Sequence, residues 1–335
     1  MYANWPTYDQ LPLHPSFPTK AAWGVWGTDD EFGALNHITP DTIRAAKVEI
    51  QYGLAINLNL ELDSPNPPLN PTRPAMIHAF VPFPGYQDDI ISLNTQVSTQ
   101  FDGLRHYPYS TNNSVDTYQF YNELITFDDI FSPGSAVTTL GIHNAANKGI
   151  AGRGVLLDWA GWKESKNETY QAFVAELVTA SDLDQVATWQ GLDPSNFTKP
   201  GDWVIIRTGF MKQYYALDTS QQEMLPFRDD ADAQWIGLEA SEDTLRWVWE
   251  KKLSMVGSDN PAVESVPFNA TILGENRALH EIFISGWGQS IVEFLNLEKL
   301  AEKCHELNKF SFFFTLQDLN VVGGIASPPN AMAIL

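Results

Sequence analysis

Residues 96–106, Q-V-S-T-Q-F-D-G-L-R-H, gather a carboxylate (Asp102), an imidazole (His106), an arginine (Arg105) and two side-chain amides (Gln96, Gln100). Carboxylate oxygens, amide oxygens and imidazole nitrogens are cation donors, and an imidazole with a reference pKa of ~6.5 moves protons near neutrality. In an extended strand Gln96, Ser98, Gln100 and Asp102 share one face, and a turn at Gly103 would return His106 beside them. A core strand would carry Val, Ile or Leu there. Taken alone, an Asp-x-x-x-His spacing describes a structural hydrogen bond better than a site. A second cluster changes that balance. Residues 280–293, H-E-I-F-I-S-G-W-G-Q-S-I-V-E, place His280 in an apolar helix-like segment and Glu293 in a strand-like run. A carboxylate in such a run needs a partner or a metal ion. The turn-rich residues 257–264, G-S-D-N-P-A-V-E, present Asp259 and Glu264. His143 ends an apolar strand candidate.

The elements around these residues are interleaved helices and strands, which makes the fold class mixed α/β. Residues 1–37, rich in Trp, Pro and Gly, read as an irregular arm preceding a core over 38–335 of one domain. Thr39, Pro40 and Asp41 open a helix that Gly53 stops. Residues 54–62 alternate as a strand, and 65–74 form a proline-rich loop suited to a lid. Further strands are expected at 136–142, 154–159, 203–208 and 310–316, with W-V-I-I at 203–206 buried on both faces. Helices are expected within 170–190, 241–252 and 296–309. The last puts the single cysteine, Cys304, on its apolar stripe as an inert thiol.

Composition excludes several classes. With 335 residues, 44% hydrophobic and 18% charged, the chain is globular, and its net charge of -21 disfavours nucleic acid and anionic membrane as partners. No apolar stretch reaches membrane-spanning length, one cysteine permits no internal disulfide, and no leader is evident, so a cytoplasmic location is expected. Neither G-x-G-x-x-G nor G-x-x-x-x-G-K-[ST] occurs, so nucleotide binding has no support.

Several blocks, taken in order, resemble the cyclase family that includes kynurenine formamidases and isatin hydrolases, in its longer, fungal-type branch. They are W-G-T-D-D-E-F-G-A-L-N-H-I-T-P (26–40), the motif ending D-G-L-R-H, and G-I-H-N-A-A-N-K-G-I-A-G-R-G-V-L-L-D (141–158). R-T-G (207–209), G-S-D-N-P-A-V-E and the 280–293 block follow. The resemblance implies a swivelling β/β/α fold and a metal-dependent hydrolase acting on C–N bonds other than peptide bonds, or on cyclic esters. The family signature H-x-G-T-H-x-D-x-P-x-H falls on 96–106. Its metal aspartate is Asp102, its catalytic histidine is His106, and its two metal histidines are replaced by Gln96 and Gln100. His280 and Glu293 complete the implied metal set. Amide oxygens are harder and weaker donors than imidazole, so this set suits Mn²⁺ or Mg²⁺ better than a tight zinc site, and would hold Zn²⁺ weakly. His106, with Asp102, is the implied acid/base pair. Phe101, Tyr107, Arg105, Trp26, His143 and Glu264 are the expected contacts to a small, aromatic substrate. Other candidate walls are Tyr109, Trp23, Phe80, Phe83 and Tyr86. The family also implies a homodimer or higher homo-oligomer. The two glutamines keep open a secondary-metabolite cyclase or dehydratase with metal optional, and a metal-free binding protein.

Overall fold

The unbroken apolar runs form the centre of a nine-stranded sheet. In a computed structural model describing residues 4–229, 233–268 and 270–335, the strand order is Ala55–Asn57, Met332–Ile334, Ser311–Leu316, Ile150–Leu157, Trp203–Ile206, Met255–Ser258, Ile291–Glu293, Gln100–Asp102, Ala326–Ser327. The four strands from Ile150–Leu157 to Ile291–Glu293 are parallel, and the pairings outside them are antiparallel. Parallel strands need crossovers and are covered on both faces, which is why W-V-I-I has no polar position. Val155, Leu157, Val204 and Ile206 enter one core, beneath the helices Trp159–Ser165, Ala180–Trp189, Phe210–Ala216 and Glu242–Lys251. Leu156, Trp203, Ile205 and Met255 enter the other, beneath Glu298–Leu307 and Pro40–Ala46. Mixed α/β is the fold class observed.

Local chemistry sets the helix starts. Thr39 accepts from the Thr42 amide (3.2 Å), Thr179 from Asp182 (3.0 Å) and Ser241 from Thr244 (3.3 Å), each cap contributing ~1 kcal/mol. Cys304 is fully buried in the helix Glu298–Leu307, and burial pushes its thiol up to about 12.

Several expected elements differ. The alternation over 54–62 yields only the strand Ala55–Asn57, although Ile56, Leu58 and Leu60 do share the buried side. Residues 136–142 form no strand, because the carbonyls of Val137 and Thr139 are taken by the Arg105 guanidinium instead of a neighbouring strand. His143 therefore opens a short helix, His143–Lys148. The first half of 170–190 is not helical, and the helix begins only after the Thr179 cap. A hairpin, Ile77–Phe83 with Tyr86–Ser92, had no counterpart in the sequence reading. Only Val81 of its two strands is even partly covered, so the burial that makes a strand pattern legible is missing.

The N-terminal arm is irregular but not loose; residues 1–3 lie outside the described residues. The Ala22 amide donates to Gly286 O (2.9 Å), Ala34 to Gly288 O (2.9 Å), and the Trp23 indole to Ser285 O (2.7 Å). In return the Trp287 indole donates to Lys20 O (2.9 Å). Gly33, at φ +52°, lies against the Gly288 backbone, where any side chain would collide. The arm is thus laced onto the segment that follows His280.

Candidate active site

Strand register brings the two polar clusters together. Gln100 lies directly opposite Glu293, and Asp102 opposite Ile291, in the antiparallel ladder. Because side chains alternate, Phe101 and Val292 enter the core on one face, while Gln100, Asp102 and Glu293 share the other. All three are at most 2% exposed. The Gln100 amide donates to Glu293 Oε2, and the Gln96 amide donates to Asp102 Oδ1 at 2.5 Å. Gln96 reaches Asp102 from the loop before the strand, so the expected single polar strand face is shorter than anticipated. Ser98 turns away to donate to Glu61 O (2.7 Å).

His280 approaches from the N-terminal edge of a single π-helical turn, Glu281–Gly286. Its Nε2 lies 3.1 Å from Glu293 Oε1, and its Nδ1 lies 2.6 Å from Glu264 Oε1. The same Glu264 carboxylate accepts from the Leu279 and His280 amides, each at 2.9 Å. Burial disfavours the charge on His280, but its hydrogen bonds to the two glutamates outweigh that and raise it to about 10. Burial, and then the Asp102 charge, raise Glu293 to about 7. The Gly103 turn forms as expected, with the His106 amide donating to Gly103 O (2.9 Å), and sets His106 Nε2 3.7 Å from Asp102 Oδ2. That separation is too long for a hydrogen bond. Burial, with His280 and Arg73 nearby, lowers the His106 pKa against the opposing pull of Asp102.

Donor atoms of Asp102, His280 and Glu293 all lie within 4.8 Å of one another. Asp102 Oδ2, Gln96 Oε1 and Gln100 Oε1 are buried acceptors with no hydrogen-bond partner. Leaving such atoms unmet costs ~1–3 kcal/mol each. Two carboxylates, one imidazole and unmet neutral oxygens fit a divalent cation.

The expected substrate contacts separate. Tyr107 stays at the site, its ring 5.0 Å from that of His280, and Phe268, which the sequence did not single out, packs on the same ring at 5.1 Å. Both line a cavity of about 710 Å³ that also meets Ser110, Asn112 and Arg277. Phe101 is corrected to a core residue by strand alternation. Arg105 is a clamp whose donors go to Val137, Thr139 and Gly323 carbonyls. His143 Nδ1 accepts from the Gly323 amide (3.3 Å). Trp26 packs on Trp5 and His37, at 5.1 and 4.7 Å between rings. Glu264 is fully enclosed and positions His280, so it has no free edge for a substrate. Tyr109 is buried with its hydroxyl donated to Thr19 O, Trp23 belongs to the arm, and Phe80, Phe83 and Tyr86 sit on the exposed hairpin. Asp259 buttresses the R-T-G turn, accepting from the Thr208 amide (2.6 Å) and hydroxyl (2.7 Å).

With this arrangement in view, the chain was compared with known families. Residues 32–265 match the family described as putative cyclase. The chain belongs to the putative cyclase family. A crystal structure of a novel cyclase is 30% identical, covering 94% of this chain and 99% of that one, with a TM-score of 0.78. Isatin hydrolase A from Labrenzia aggregata, bound to benzyl benzoate, is 16% identical over 84% of this chain and 93% of its own, with a TM-score of 0.55. Another isatin hydrolase, bound to the product analogue thioisatinate, is 16% identical over 89% and 99%, with a TM-score of 0.55. The two hydrolases share the cyclase-family fold with this chain. A search of curated proteins returns no match. Among the described residues, no helix is long and apolar enough to cross a membrane.

Proposed function

We propose that this cyclase-family chain is a metal-dependent hydrolase that cleaves a C–N bond of an amide, formamide or lactam, or a cyclic ester, in a small aromatic molecule. The observation that carries the reading is the buried trio Asp102, His280 and Glu293 with three unmet acceptor oxygens around it. Asp102, Glu293 and His280 Nε2 would hold Mn²⁺, Zn²⁺ or Mg²⁺, with the amide oxygens of Gln96 and Gln100 as neutral donors. Such an ion polarises a carbonyl and lowers the pKa of bound water towards ~7. Glu264 holds the His280 Nδ1 proton, which fixes the tautomer that leaves Nε2 free to donate its lone pair. His106, neutral at pH 7 because its pKa is lowered, takes the proton of the attacking water and returns it to the departing nitrogen. Tyr107 and Phe268 present ring faces to a flat substrate. The isatin hydrolases of the same fold support a cyclic amide as the starting class.

Elemental analysis of protein purified without chelator tests this. Near-stoichiometric Mn or Zn, lost in Asp102→Ala, is the expected result; metal-free, folded protein that still turns over would overturn it. That second outcome belongs to the alternative reading, a cyclase or dehydratase using His106 without metal. One observation favours it: His280 lies between Glu264 and Glu293, and in its protonated form it would pair the charges of the site on its own.

A homo-oligomer is part of the proposal. One face of the hairpin carries Ile77, Val81, Phe83, Tyr86 and Ile90, and an isolated hairpin is marginal in water without a cover. A second copy of the chain, offering the same face about a two-fold axis, is the occupant proposed.

A further inference from the structure

We infer that Arg73, on the proline-rich loop, is the specificity residue that recognises a carboxylate on the ligand of the Asp102–His280 site. The inference rests on the proposed site only for where the ligand sits.

The chain has 41 acidic and 20 basic residues, so carboxylate partners for arginine are plentiful. Arg44, Arg153, Arg207, Arg246 and Arg277 each pair with a carboxylate. Arg105 spends its donors on three backbone carbonyls, and Arg228 bonds the carbonyls of Leu225, Phe173 and Gln234. Arg73 is only partly buried, and among the described residues its guanidinium makes a single hydrogen bond, Nη1 to Gln96 O at 2.6 Å. A guanidinium carries five N–H donors, so four remain for a ligand. The one bond made is to the backbone of a site residue, the same Gln96 whose amide holds Asp102. The Arg73 charge also reaches His106, whose protonation it disfavours.

The loop is built to hold the guanidinium there. Prolines at 65, 67, 68, 71 and 74 restrict the backbone, and Asn70 ties the turn: its carbonyl accepts from the Arg73 amide (3.0 Å) and its side chain from the Thr72 amide (3.0 Å) and hydroxyl (2.7 Å). A cavity of about 140 Å³ is lined by Pro65, Asn66 and Pro68 of the loop together with Val97, the neighbour of Gln96 in sequence. Asp102 and Glu293 repel an anionic ligand, and a planar fork of donors offsets that repulsion for a carboxylate in particular. A neutral carbonyl gains less from it, because only a carboxylate makes the bond charge-assisted at both ends.

Two sources supply such a group: the carboxylate released when a lactam or cyclic ester opens, or one carried by the substrate. Isothermal titration of the as-purified protein with benzoate and with benzamide reads the shared chemistry. We expect the benzoate-to-benzamide affinity ratio to fall by about tenfold or more in Arg73→Gln and to recover partly in Arg73→Lys. An unchanged ratio in Arg73→Gln, or equal weakening of both probes, would overturn the inference. The KM ratio of formanilide to 4-formamidobenzoate separates the sources. A ratio that shifts with Arg73→Gln assigns the group to the substrate, and a fixed ratio with a lost benzoate preference assigns it to the product. Failure of the hydrolase reading would show as no turnover of either amide while the benzoate preference persists.

Discussion

At the residue scale, the site separates groups that touch the chemistry from groups that aim them. Among the described residues beside Asp102, His280 is held between two carboxylates and His106 is not, which makes His106 the proposed proton carrier. His106→Ala should lower turnover by ~10²–10⁴ while leaving the melting temperature nearly unchanged. Steady-state kinetics on a formanilide, paired with a thermal melt, checks both halves. Glu264→Gln addresses aim. It preserves shape but weakens the hold on His280 Nδ1, and metal affinity should fall ~10–100-fold in a chelator competition titration. Equal affinity in the two proteins would remove Glu264 from the support of the site. The sequence singled out Asp102 and His106 by an unusually polar strand face, and His280 and Glu293 by their place in apolar runs, and the strand register brings the two groups together. It could not show that Phe101 faces away, since the strand was expected to be longer and its parity alone did not say which side the pocket occupies. Arg73 carried no local signal at all: its partner, Gln96, lies 23 positions on.

At the scale of elements, the N-terminal arm contributes a titration. His37 is 2% exposed between Trp5 and Trp26, and burial, with Lys252 nearby, lowers its pKa to about 3. Below ~6.5 the unfolded chain takes a proton there that the folded chain refuses, so stability contributed by a neutral His37 is lost as the pH falls from ~6.5 towards the folded value. His37→Phe should therefore flatten the acid side of the stability curve by up to ~1.4 kcal/mol per pH unit relative to the parent. Urea melts at several pH values between 4 and 7 check this, and parallel curves would contradict it. Asp202 and Asp259 work in the opposite sense, since burial raises both to about 6 and their stabilities favour lower pH. Comparing variant with parent removes that contribution. Central strands and capped helices were readable from period and cap residues. The 136–142 region was not, because the carbonyls of an extended stretch can be claimed by an arginine from elsewhere in the chain.

At the scale of the whole molecule, the exposed hairpin is the face on which the proposed dimer rests. Among the described residues, Ile77, Phe83, Tyr86 and Ile90 on its face stay exposed, while a net charge of -21 opposes casual association. Phe83→Asp should convert a dimer to a monomer by light scattering after size exclusion, with secondary structure unchanged; an unaltered mass would place the interface elsewhere. The fold class was legible because helices and strands alternate along the chain, whereas the hairpin was not, since its exposed strands carry no core-facing alternation. The lone thiol offers a different kind of readout. Cys304 is closed off in the helix Glu298–Leu307, so an alkylating reagent can react with it only when that layer opens. Its modification rate is a built-in clock for opening of that layer, and a titration of metal or of benzoate against that rate would report whether occupancy of the distant site tightens the opposite face of the sheet.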